Sequence, residues 1–117
     1  MRLPNAERAE IPVAKLADYL LSTEHRFGRG KAAFFLARGF DRRRPEKLGA
    51  ALRAHALQNE VTGTQQTAFG TRYRVEGPMA APDSTSPGVR SVWFMRAGES
   101  RPRFVTAYPL KVRRPRP

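Results

Sequence analysis

The sequence predicts an α+β domain with two to three N-terminal helices followed by a three- to four-stranded antiparallel sheet. Apolar residues recur at helical spacing up to Asn59, and side chains alternate between apolar and polar after it. Short groups of Gly, Pro, Ser and Asp separate the alternating segments, as is typical of strands joined by tight connections. We therefore expect the helices to pack together on one face of the sheet.

The N-terminal half contains start and stop signals for the helices. Ile11-Pro12 begins the first helix, and Lys31 begins a second that ends at Gly39. Pro45 begins a third helix that runs to about Gln58. Proline fits the first turn of a helix, and glycine commonly follows its last turn.

The C-terminal half predicts strands over residues 71–76, 89–96 and 103–108, with a further short strand at 67–69 and a turn at 62–64. Strict alternation in the last strand places Phe104, Thr106 and Tyr108 on one face. Pro109 cannot donate a ladder hydrogen bond, so this strand should end there.

The predicted organisation is a flexible lead-in over residues 1–10, a single α+β domain over 11–110 and a basic disordered tail over 111–117. Without cysteine, the chain has neither a disulfide scaffold nor a thiolate metal site. No apolar run reaches the ~20 residues that span a bilayer. The first ten residues are polar and carry both charge signs, unlike a signal peptide, so we expect a cytoplasmic protein or a toxin module delivered by another route.

The chain is strongly basic, with 22 Lys and Arg against 10 Asp and Glu and a net charge of +12 at pH 7. Eighteen of the basic residues are arginine, whose planar fork suits bidentate phosphate contacts. This surplus predicts a nucleic-acid partner, with an acidic protein partner as the alternative. No basic amphipathic helix stands out, which argues against a membrane surface.

Metal-dependent hydrolysis is disfavoured, because the two histidines stand thirty residues apart and no paired carboxylates occur. We expect neither a metal nor a cofactor. Metal-independent RNA cleavage needs a base for the 2′-OH, an acid for the leaving oxygen and cations for the charged phosphorane. The candidate catalytic residues are His25, Lys31, His55, Arg90, Thr106 and Tyr108.

These candidates are predicted to converge on one cleft. His25 and Lys31 flank a glycine loop, and Arg90 and Thr106 fall on neighbouring strands. His55 ends the apolar face of the third helix, a position at which histidine is more often a hydrogen-bonded core residue. The basic residues expected to bind nucleic acid are Arg26, Arg29, Arg72, Arg103, Lys111, Arg113 and Arg114.

Residues 11–110 resemble an uncharacterised bacterial domain family. The shared pattern includes His25, Gly28 and Lys31-Ala32, then Leu48, Leu52 and His55, Phe69-Gly70, Val75-Glu76-Gly77, Val89-Arg90-Ser91-Val92-Trp93 and Val105-Thr106-Ala107-Tyr108-Pro109. The family resembles more distantly the small ribonuclease toxins of the barnase, EndoU, colicin and RelE type. That resemblance implies a ribonuclease toxin neutralised by a small acidic antitoxin or immunity protein.

Three functions therefore stand side by side. The first is a metal-independent endoribonuclease, the toxin of a toxin–antitoxin or toxin–immunity pair. The second is a non-enzymatic RNA- or DNA-binding accessory protein. The third is an interaction domain whose charge serves only an acidic partner.

Overall fold

The predicted α+β fold is confirmed by a computed structural model, which describes residues 1–22 and 29–110 except for the side chain of Arg29. A 3₁₀ turn (Ala6–Arg8) precedes α1 (Val13–Lys15), which continues directly into a π-helical segment (Leu16–Leu20). The remaining elements are α2 (Arg29–Ala37), α3 (Pro45–Gln58), β1 (Val61–Thr67), β2 (Gly70–Pro78), β3 (Gly88–Arg96) and β4 (Arg103–Pro109).

The four strands form an antiparallel meander in the order β1-β2-β3-β4. The core lies between α3 and one face of the sheet, where Leu48 and Leu52 of the helix meet Trp93 and Phe104 of the strands. The Trp93 and Phe104 rings pack edge to face with centroids 5.3 Å apart. The opposite face, which we call the distal face, carries Arg72, Arg74, Glu76, Arg90, Val92, Phe94, Thr106 and Tyr108.

The predicted stop signal of α2 and start signal of α3 are confirmed, whereas α2 begins at Arg29, two residues before the predicted Lys31. Gly39 follows α2 with φ of 97°, a left-handed conformation that glycine adopts without strain. Pro45 is the first residue of α3, where its missing N–H leaves no intrahelical bond unmade.

The predicted turn at 62–64 is wrong, because these residues lie within β1, and Phe69 lies in the β1–β2 turn instead of a strand. A bulge between Val61 and Gly63 shifts the register, and Gly63 then pairs with Arg74. A Cβ added to Gly63 would overlap Nη2 of Arg74, so the glycine makes room for that guanidinium.

A second bulge corrects the predicted faces of β4. Val92 pairs with Thr106 while Trp93 pairs with Phe104, so Val105 is an extra residue in the strand. The bulge places Phe104 in the core with Ala107 and leaves Thr106 and Tyr108 on the distal face. Alternation alone could not reveal this change.

The expectation of a flexible lead-in over residues 1–10 is also wrong. Leu3, Ala6 and Ala9 are buried, and the backbone N–H of Val61 donates to the carbonyl of Met1 at 2.7 Å. Glu10 forms a parallel bridge with the first residue of β4, so this segment covers part of the sheet edge.

The predicted tail, 111–117, lies outside the described residues. Within the described ranges, no helix has the length and apolar character to cross a bilayer.

Candidate functional site

The distal face gathers polar side chains from β2, β3 and β4 through the strand register. Glu76 pairs with Arg90, and Arg90 pairs with Tyr108 on its other side. Side chains of directly paired residues project to the same face, so these three side chains form a row across the sheet. Thr106 lies on the same face two residues before Tyr108. The register therefore brings Arg90, Thr106 and Tyr108 together on this face, and their catalytic roles stay a prediction.

Arg90 lies at the centre of this row. Its Nη2 donates to Glu76 Oε2 at 3.0 Å, and its Nη1 donates to the Tyr108 hydroxyl at 3.2 Å. Hydrogen bonds to Tyr108 and Glu76 raise the pKa of Arg90, so its charge is fixed at every physiological pH. Its Nε is buried and has no hydrogen-bond partner among the described residues, which leaves one guanidinium donor unused.

The Glu76 carboxylate is held in its ionised form. Thr62 donates its hydroxyl to Glu76 Oε1, while Arg90 occupies Oε2. The hydrogen bond from Thr62, followed by the contact with Arg90, lowers the pKa of Glu76. The site thus contains an anion fixed beside a cation, with the carboxyl group deprotonated at neutral pH.

Lys31 of α2 extends the row past the edge of the sheet. Its Nζ donates to Tyr19 Oη and to Thr106 Oγ1, both at 3.2 Å. The ammonium lies 5.2 Å from the Tyr19 ring centroid and 5.5 Å from that of Tyr108, within cation–π range of both. We call the resulting set the polar row: Tyr19, Lys31, Thr106, Tyr108, Arg90 and Glu76.

An open cavity of about 450 Å³ adjoins the polar row on the distal face. Arg72, Arg74 and Tyr108 are among its lining residues. Arg72 and Arg74 are exposed and form no ion pair within the described part of the chain. The face therefore combines a fixed carboxylate and hydroxyls with an excess of positive charge, a combination that can bind a phosphodiester.

His55 does not join this site, and its predicted convergence with the other candidates is wrong. It is buried on the face that packs against α3, and its neighbour in the network, Ser91, points away from Arg90. His55 Nε2 lies 2.9 Å from the Val89 carbonyl and 3.1 Å from that of Gly77. Because carbonyls only accept, Nε2 carries the proton and Nδ1 is left as the acceptor.

The rest of this core network satisfies His55 completely. Trp93 Nε1 donates to Ser91 Oγ at 2.8 Å, and Ser91 Oγ lies 3.0 Å from His55 Nδ1, to which it donates. Burial lowers the pKa of His55 and keeps the ring neutral. A neutral, fully bonded histidine inside the core has no access to a substrate, so its role is structural.

The other predicted site residues divide between the described and undescribed parts of the chain. Arg103 is exposed at the start of β4. The undescribed positions are His25, Arg26, Lys111, Arg113, Arg114 and the side chain of Arg29. Over residues 1–22 and 29–110, no group of three or more His, Cys, Asp or Glu side chains could hold a metal ion.

Sequence reasoning missed Glu76, Thr62 and Tyr19. Alternation in β2 already places Glu76 on the same face as Arg72 and Arg74, which is a usable signal. Only the register shows that Glu76 meets Arg90, and only the packing of the π-helical segment shows that Tyr19 reaches Lys31.

The structure defines an α+β domain with a polar row on a basic sheet face. Residues 2–111 match the family described as a domain of unknown function (DUF6883), and the chain belongs to this family. No curated protein matches it.

Among solved structures, the fold is similar to a chain in the contact-dependent growth inhibition toxin–immunity protein complex from Klebsiella pneumoniae 342. The TM-score is 0.67 at 14% identity, over 87% of this chain and all of the other. At this identity the similarity establishes the fold and leaves the activity to be argued from the site.

Proposed function

We propose that this chain is the toxin of a toxin–immunity pair and acts as a metal-independent endoribonuclease. The observation that carries the proposal is the polar row. In it the ionised Glu76 contacts Arg90, Arg90 contacts Tyr108, and Lys31 lies at the other end. The complex named for the structural neighbour supports a toxin–immunity context. The net charge of +12 supports a polyanionic substrate.

Each member of the row has a chemical task in this proposal. Glu76 takes the proton from the ribose 2′-OH, and the 2′-oxygen attacks the adjacent phosphorus. Arg90 stabilises the charge that develops on the phosphorane oxygens through its fixed guanidinium charge. The P–O5′ bond then breaks, and Lys31 donates a proton to the leaving 5′-oxygen. The products are a 2′,3′-cyclic phosphate and a 5′-hydroxyl.

The hydroxyls have supporting tasks. Tyr108 accepts a hydrogen bond from Arg90 through its oxygen, so its own proton can be donated to a phosphate oxygen. Thr106 holds the Lys31 ammonium in place. Since the first step consumes a 2′-OH, this arrangement acts on RNA and leaves DNA intact.

A non-enzymatic nucleic-acid-binding protein is the second candidate, and the exposed Arg72 and Arg74 favour it. In that case Glu76 serves only to orient Arg90 across the strands. The two candidates differ in what they require of the carboxylate. A binding surface gains affinity for phosphate when Glu76 loses its charge, whereas a nuclease loses its base.

Purified chain should therefore be incubated with end-labelled single-stranded RNA, with the same sequence in DNA as a control. We expect RNA cleavage to products with 2′,3′-cyclic phosphate ends, unaffected by EDTA. Glu76→Gln should lower the cleavage rate by roughly 100- to 10,000-fold, the usual loss for a general base. Arg43→Gln, in the exposed loop between α2 and α3, is a charge-removing control that should cleave normally.

Absence of cleavage on every RNA tested, with tight RNA binding by Glu76→Gln, would establish the binding protein instead. Full activity in both Glu76→Gln and Lys31→Ala would refute the assigned roles. The toxin assignment is tested separately by expression in bacteria. We expect growth arrest that Glu76→Gln abolishes and that co-expression of a small acidic protein encoded beside the gene relieves.

A further inference from the structure

A larger cavity, of about 720 Å³, lies between the N-terminal segment and the β3–β4 hairpin. Its lining includes Lys15, Phe94, Arg96, Arg101, Arg103 and Glu99. We call it the cationic cavity. It shares no lining residue with the polar row, so the row's chemistry does not account for it.

The positive charges of this cavity are incompletely neutralised. Lys15, Arg96 and Arg103 form no ion pair with any described residue, although the carboxylates of Glu10 and Glu99 also line the cavity. Burial and then the charge of Arg103 lower the pKa of Lys15. Cations gathered in a recess without matching anions are stabilised when an anionic ligand binds there.

Phe94 gives the cavity an aromatic wall on the distal face. It pairs with Arg72 on one side and with Arg103 on the other. Phe94 lies four positions from Arg90 on β3, and four residues of strand span roughly 13 Å. An aromatic residue flanked by arginines on the neighbouring strands suits single-stranded nucleic acid, which proteins hold by stacking bases on aromatic rings and contacting phosphates with positive charge.

The cavity also adjoins the polar row along β4. Val105 lines the cavity, and the next residue of the strand, Thr106, belongs to the row and accepts a hydrogen bond from Lys31. A strand bound at Arg90 and Lys31 therefore needs to extend only a short distance to reach Arg103. A site size of roughly 4–16 nucleotides, common for single-strand-binding domains, would cover both places.

We propose that the cationic cavity is a second nucleotide subsite for single-stranded RNA, in which a base stacks on Phe94 and the adjoining phosphate is held by Lys15 and Arg103. The proposal deepens the proposed function by extending its substrate path. It rests on RNA binding by this chain and is independent of cleavage.

The binding test uses a fluorescent single-stranded RNA with 2′-O-methyl groups, which cannot be cleaved through the 2′-oxygen, and fluorescence anisotropy. Phe94→Leu preserves apolar volume and removes the ring, and it should weaken binding roughly 5- to 150-fold, the equivalent of one base stack. Arg103→Gln should reduce the slope of log affinity against log salt by about 0.7, the value for one phosphate of a single strand. Phe94→Leu should leave that slope unchanged, because it removes no charge.

Arg43→Gln is the control for non-specific charge, and melting temperatures verify that the variants fold. Wild-type affinity in Phe94→Leu would overturn the subsite. It would also be overturned if Arg103→Gln and Arg43→Gln lowered affinity equally, or if the cavity variants weakened only the binding of an acidic protein partner.

A second readout separates the subsite from the chemistry. If the chain cleaves RNA, Phe94→Leu should raise KM and leave kcat within about twofold, because the ring does not touch the reacting atoms. An unchanged KM with a lowered kcat would refute the subsite. If the chain cleaves nothing while the cavity variants still lose affinity, the subsite stands and the ribonuclease proposal fails.

Discussion

Replacing His55 by alanine should destabilise the fold and leave the chemistry of the polar row intact. The imidazole is buried, accepts a hydrogen bond from Ser91 and donates from Nε2 to the carbonyls of Val89 and Gly77. Removing it leaves at least two buried polar groups without partners, each costing about 1–3 kcal/mol. The expected loss in the free energy of unfolding is thus about 2–6 kcal/mol.

The measurement is urea denaturation at pH 7.5, together with thermal melting. A loss of this size lowers Tm by roughly 4–8 °C per kcal/mol for a domain near 100 residues. A double-mutant cycle with Ser91→Ala should return a coupling energy of about 0.5–3 kcal/mol, since the two side chains contact each other directly. Any RNA cleavage should be assayed well below the Tm of the variant, where the folded fraction is close to that of the wild type.

Two outcomes would refute this reasoning. Wild-type stability in His55→Ala would show that the network is not satisfied as the structure describes. A fully folded His55→Ala protein that has lost all cleavage would show that His55 takes part in catalysis. His55→Gln, which retains hydrogen-bonding groups, should fall between alanine and wild type in stability.

Two further predictions follow from the described contacts. The pKa of His55 is lowered in the fold from an ordinary 6.5, so only the unfolded chain binds its proton near that pH. Stability should therefore be full above about pH 6.5 and fall as the pH drops below it, a dependence that urea titrations of His55→Gln should lack. Gly63→Val should displace the Arg74 guanidinium and weaken RNA binding, as measured by fluorescence anisotropy. The control is Gly63→Ser combined with Arg74→Gln, which should bind RNA as strongly as Arg74→Gln alone.

The local signals for the helices and strands were strong enough to predict the fold class. Pro45 and Gly39 act on their own backbone, so their effects are the same in any tertiary context. β-Branched and aromatic residues likewise identified β3, because such side chains pack well on a pleated, half-buried surface. Alternation in the last strand made the shared face of Thr106 and Tyr108 predictable, whereas the position of Arg90 beside them depends on the register between β3 and β4.

What the sequence by itself determined was the order of helices and strands, the basic surface and four of the six residues of the polar row. The tertiary structure decided the rest, because pairing partners are set by register and packing between segments far apart in the chain. The bulge at Val105 turned Phe104 inward, and α3 carried His55 into the core beside Ser91. Glu76 became part of the site only through its pairing with Arg90, a contact that no local pattern specifies.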